Sequence, residues 1–148
     1  MGLKGHKGTG QDALVRGATF VLMVSSDAQD VRLVADLMRA YQACALVTYE
    51  SIEQLVQSVP KGCPALAIMA VDADRAGTDR ALGWVRRCWP RVPSVVISEV
   101  ADTQHEVVVR RAGALYVVRP VSQAEWLAIL DIGLRRSEIA TAKIRETI

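Results

Sequence analysis

Cysteine and histidine are scarce in this sequence: three cysteines and two histidines in 148 residues. Cys44, Cys63 and Cys88 form no CxxC pair and are odd in number, which argues against a disulfide framework or a zinc site. They read as small, half-buried residues of a protein in the reducing cytoplasm. His6 and His105 are too few for a histidine-rich metal centre, and no metal site is expected. No apolar run nears the roughly 18–20 residues needed to span a bilayer. The longest run, Pro64 to Val71, is of strand length. The opening GLKGHKGTGQ lacks the apolar segment of a secretory signal. GxGxxG and P-loop motifs are absent, and no nucleophile has an evident base, so neither a cofactor nor an enzyme is expected. A surplus of charge is also missing: 18 Lys+Arg face 16 Asp+Glu, a formal net charge of +2. Lys4, Lys7 and Arg16 against Asp12 account for that excess, so residues 18–148 are neutral. Such balance argues against a dedicated nucleic-acid binder, which carries a basic face.

What is present is the composition of a globular domain, with 51% hydrophobic and 23% charged residues. Residues 1–17 hold five of the ten glycines without hydrophobic periodicity and read as a flexible tail. From residue 18 a regular alternation begins. ATFVLMV (18–24) predicts a strand. DVRLVADLMRAY (30–41) predicts a helix, with Val31, Val34, Leu37, Met38 and Tyr41 on one face and Asp27 as its N-cap. CALVTY (44–49) predicts a second strand, and Ser51 with Gln54 a capping box for a helix over 51–59, closed by Lys61-Gly62. PALAIMAV (64–71) is apolar throughout, as in a strand covered on both faces. A loop over 72–77 leads to a helix over 78–89. VPSVVIS (92–98) is the fourth strand. A helix over 103–113 follows, with Thr103 as cap and Gly113 as terminator. ALYVV (114–118) is the fifth strand. Ser122 caps a long last helix over 123–146, whose Trp126 stands either in the core or as an exposed anchor.

Strands joined by single helices imply right-handed crossovers and a parallel, doubly wound sheet. The working crevice of such a sheet lies beyond the carboxyl ends of its strands. That singles out Ser25, Ser26, Asp27, Ala70, Asp72, Asp74, Ser98 and Arg119.

The order and spacing of WPRVPSVVIS and AGALYVVRPVS resemble the fourth strand, fourth helix and fifth strand of response-regulator receiver domains of two-component signalling. The resemblance covers residues 18–136. It implies a flavodoxin-like (βα)5 sandwich, its five-stranded parallel sheet in the order 2-1-3-4-5. Residues 137–148 then extend the last helix. The family's chemistry uses an acidic pair after the first strand to hold Mg²⁺, an Asp ending the third strand as phosphoryl acceptor, a Thr or Ser ending the fourth and a Lys ending the fifth. Phosphoryl transfer is mostly positioning and charge neutralisation, which explains that set. Here the acidic pair falls on Ser25 and Ser26, with Asp27 one residue late, and the acceptor falls on Ala70. Ser98 keeps the hydroxyl, Arg119 replaces the lysine, and Pro120 keeps the proline, a candidate cis peptide. Tyr116 keeps the aromatic switch position.

The resemblance therefore implies a degenerate pseudo-receiver whose partner is a protein. That partner is a signalling protein or a second copy, met through the face of the fourth helix, fifth strand and fifth helix: Val107, Arg110, Arg111, Tyr116, Val118 and Trp126. Arg119 is expected to pair with Asp27 or Asp72 in the crevice. Two alternatives stay open: a conventional receiver with a shifted acceptor at Asp72, and a small-ligand-binding flavodoxin-like domain.

Overall fold

The computed structural model describes residues 19–41, 43–70 and 75–134. The tail 1–17, Asp72, Asp74 and the extension 137–148 lie outside them. Five strands and five helices alternate: β1 Thr19–Ser25, α1 Ala28–Leu37, β2 Cys44–Tyr49, α2 Ile52–Gln57, β3 Leu66–Ala70, α3 Arg75–Cys88, β4 Ser94–Ser98, α4 Thr103–Arg111, β5 Leu115–Val118 and α5 Gln123–Gly133. A short 3-10 turn, Met38–Ala40, follows α1. The strands form one parallel sheet in the order β2-β1-β3-β4-β5, as expected for a flavodoxin-like fold.

Successive residues of a strand face opposite sides, and the core divides accordingly. Phe20, Leu22, Val24, Met69 and Val96 pack with Leu55 of α2, Leu82 and Val85 of α3 and Val109 of α4. Val21, Met23, Ile68 and Ile97 pack with Val34 and Met38 at α1 and with Trp126, Ile129 and Leu130 of α5. All five residues of β3 are buried, which is why its sequence shows no alternation.

Local chemistry sets most boundaries. Asp27 caps α1, accepting from the Gln29 and Asp30 amides. Ser51 caps α2 and Ser122 caps α5, the latter in a complete capping box with Glu125. Gly113 takes a φ of +86° just beyond α4, where a side chain would be strained. The Arg119–Pro120 bond is cis.

Several boundaries differ from the sequence expectation, the first helix running over Ala28–Leu37, the third strand over Leu66–Ala70 and the fourth over Ser94–Ser98. The third helix starts at Arg75, because Gly77 and Thr78 are buried within it and belong to its packing face. The cap of α4 is Asp102, whose carboxylate accepts from the His105 amide; Thr103 is the first helical residue. α2 ends at Gln57 with Ser58 as cap, and Gly62, at φ +93°, belongs to the loop beyond. α5 ends at Gly133, and Leu134 is extended and buried. Residues 135–146 of the expected helix over 123–146 lie outside the described ones. Residue 133 is glycine at a close approach: a Cβ there would run into the Ala65 carbonyl and stand 2.7 Å from Leu66 Cβ.

Candidate functional site

Ser25 and Ala70 end β1 and β3 side by side in the sheet register. Ser98 ends β4 opposite Val118, and the Arg119 amide continues that ladder, donating to the Ser98 carbonyl at 2.9 Å. The sheet thus brings Ser25, Ala70, Ser98 and Arg119 to one edge. A cavity of about 310 Å³ opens beside it, lined by Ser25, Ser26, Arg32, Tyr49, Glu50 and Gln54.

Most polar groups at this edge are engaged. The buried Ser25 Oγ accepts from the Asp27 amide at 3.1 Å. The Asp27 carboxylate caps α1, and Ser98 Oγ donates to the Val100 carbonyl at 2.7 Å. Arg119 is the centre of charge. Its guanidinium donates to Asp30 through Nη2 and forms an ion pair with Glu99 on its Nε side. Asp30 is 8% exposed, one turn into α1. The Arg119 pKa is raised above its ordinary value, first by the hydrogen bond to Asp30 and then by the nearby carboxylates, with burial opposing. The expectation that Asp27 is the partner is thereby corrected to Asp30. Asp27 contributes only at longer range, and Asp72 lies outside the described residues. The reason is geometric: Asp27 is committed to the helix end, whereas Asp30 projects from the next turn toward β5.

A second network lies under α4. His105 Nε2 is 2.8 Å from Asp79 of α3, and the His105 ring meets the Tyr116 ring edge to face at 5.6 Å. Tyr116 is buried, and its hydroxyl donates to the Val100 carbonyl at 3.2 Å, the same oxygen that Ser98 holds. Arg75 bridges to Asp102 at 3.4 Å. The start of α4 is thus tied to α3, β4 and β5.

The expected interaction face divides in two. Val107, Arg110 and Arg111 are exposed on α4 and Val118 is half-buried, with Arg110 paired to Glu106 at 2.8 Å. Tyr116 and Trp126 point inward. Trp126 is 1% exposed, so it is a core residue and not a surface anchor. Its position one turn before Ile129 and Leu130 places it on the buried stripe of α5. Sequence reasoning missed Asp30, Glu99, Asp79, His105 and the exposed Val108 and Leu115. An acidic residue in the first helical turn is so ordinary that Asp30 carries no signal on its own.

No family model matches the sequence, and no curated protein matches it. Solved structures do. A response-regulator receiver domain protein from Methanospirillum hungatei superposes with a TM-score of 0.66 at 14% identity, covering 87% of this chain and 98% of that one. A CheY-like response regulator from Mesorhizobium loti gives 0.63 at 21% identity, with 78% and 98% covered. The N-terminal signal receiver domain of a Bacteroides fragilis two-component response regulator gives 0.65 at 17%, with 80% and 98% covered. The chain has the receiver fold. At these identities the likeness is one of fold, and the receiver frame fixes which strand ends meet. It also makes Ala70 the residue that ends the central strand β3 in this chain. No helix among the described residues is long and apolar enough to cross a membrane.

Proposed function

We propose that the protein is a receiver-frame interaction domain in signal transduction whose state is set by its own ion pairs and by a protein partner, not by phosphorylation. The observation that carries this is the charge arrangement at the strand ends. Ala70 closes β3 with a methyl group, which has no lone pair to attack phosphorus. The cation on β5 is already neutralised by Asp30 and Glu99. A receiver's Mg²⁺ would need free carboxylate oxygens. The described residues do not fit it: Asp27 caps α1, Asp30 holds Arg119, and Ser25 accepts a backbone hydrogen bond. No step is therefore routed through a metal. Ser25 and Ser98 both hydrogen-bond backbone groups, which supports a non-enzymatic domain.

The partner surface on this reading is the outer side of α4 and β5: Val107, Val108 and Leu115, 42–47% exposed, framed by Arg110 and Arg111. A signalling protein or a second copy would cover it. The inward Tyr116, pinned to Val100 and His105, holds that surface in one form.

The test is incubation of the whole chain with acetyl phosphate, and separately with beryllium fluoride, each with Mg²⁺. Intact mass should show no added phosphoryl group, and amide spectra should show no shifts at Ser98, Tyr116 or α4. A phosphorylated species would overturn the proposal, and its mapping to Asp72 would establish the shifted-acceptor alternative.

A further inference from the structure

The charges of this chain are balanced in sequence and sorted in space. In a parallel sheet with helical crossovers, each helix ends where the next strand begins. The C-terminal helix ends and the loops after them therefore form one end of the molecule. Arg39 follows α1, and Lys61 lies in the loop after α2. Arg86 and Arg87 end α3, Arg91 follows it, and Arg110 and Arg111 end α4. Against these seven basic side chains stand three acids among the described residues: Asp36 and Asp131 at the same end, and Glu106, which reaches Arg110 from one turn back in α4.

Asp36 takes Arg39 at 3.3 Å, and Glu106 takes Arg110 at 2.8 Å. Lys61, Arg87, Arg91 and Arg111 are exposed and have no carboxylate partner among the described residues. The ends of α3 and α4 also lie against each other: a Cβ on Gly113 would stand 3.1 Å from Arg86 Nη2, so that guanidinium covers the turn after α4. The helix dipole favours cations at helix C-termini, yet Lys61 and Arg91 stand in loops. At the opposite end four acids hold arginines, Asp30 and Glu99 with Arg119, Glu53 with Arg80 and Asp102 with Arg75, while Asp27, Glu50 and Glu125 form no ion pair among the described residues.

We infer that this face binds a nucleic-acid backbone through charge, without reading sequence. Six of its seven cations are arginines, whose planar forks match phosphate oxygens in pairs. A second copy is the weaker occupant, because four of the acids it would present already hold arginines of their own chain. An anionic bilayer is also weaker. Trp89, the aromatic of this face, is half-buried and held edge to face by Trp84 at 5.7 Å.

The experiment is fluorescence anisotropy of a short labelled DNA duplex against the full chain over a salt series. Binding should weaken with salt, and neutralising each phosphate contact should change the log–log slope by about 0.9. Arg87→Gln with Arg111→Gln should weaken binding about tenfold at fixed salt and flatten the slope by about 2. Arg91→Gln alone, in a loop where no helix is at stake, should flatten it by about 1. Arg80→Gln, exposed near the start of α3 at the opposite end, should change neither. Absence of binding at low salt would overturn the inference, as would equal loss with Arg80→Gln. So would tighter adsorption to phosphatidylserine vesicles than to the duplex. Salt-sensitive self-association in sedimentation without duplex binding would establish the second copy instead.

Discussion

Arg119 shows how one side chain decides the character of the strand-end crevice. A guanidinium cannot be deprotonated at ordinary pH, and its planar fork serves Asp30 and Glu99 at once. Removing it would leave the buried Asp30 carboxylate without its partner. Arg119→Ala should therefore lower stability in urea by about 1–3 kcal/mol. Adding Asp30→Ala should recover part of that loss, since the double variant leaves no orphaned charge. A change for Arg119→Ala below about 0.5 kcal/mol would mean the pair is only a surface contact. The cysteines give a second check. Burial pushes the Cys44 thiol up to about 11, whereas Cys63 and Cys88 are exposed. Near neutral pH a thiol reagent should modify Cys63 and Cys88 promptly in the native chain, and the half-buried Cys44 more slowly. Equal rates at all three would contradict the raised Cys44 value.

Helix ends carry the next layer of stability. Asp102 and Glu125 both have pKa values held below their ordinary 3.8 and 4.5. The first cause for Asp102 is the hydrogen bond from the His105 amide, and for Glu125 that from the Ser122 amide. Carboxylates with depressed folded values stabilise the protein above their ordinary values, and the stabilisation is lost as pH falls through the lowered ones. Urea midpoints should accordingly drop as pH goes below about 4, and Asp102→Asn with Glu125→Gln should flatten that slope. An unchanged slope would place the acid sensitivity elsewhere. The far end of α5 rests on Gly133, where the backbone meets Ala65 and Leu66. Gly133→Ala should cost about 1–3 kcal/mol although alanine favours helices, because the helix end must move off β3. A stabilising effect would show that α5 docks more loosely than described.

At the scale of the molecule, two cores share one sheet, and Trp126 fills the layer under α1 and α5. Trp126→Ala should remove about 3–5 kcal/mol, a large part of the 5–15 kcal/mol typical of a domain. A loss below about 1 kcal/mol, measured by urea unfolding, would return Trp126 to the surface role. Sequence periodicity alone could not choose, because either role suits an aromatic near a helix start. Most of the fold was legible nonetheless. The alternation of apolar runs with capped helical stretches, and the unbroken apolar β3, express local dihedral preference and burial, which act along the chain. The strand-end identities of Ser25, Ala70, Ser98 and Arg119 followed from the same pattern. Boundaries were less legible where packing in space decides them, as the burial of Gly77 and Thr78 does for the start of α3. Partnerships were least legible. Asp30 rather than Asp27 holds Arg119, and His105 meets Asp79 and Tyr116, because those residues come from separate elements that only packing brings together. Charge follows the same division. The sequence by itself determined that the totals leave only +2; the tertiary structure decided where each sign sits, since a parallel sheet gathers the C-terminal ends of its helices at one pole, and a sum over residues carries no direction.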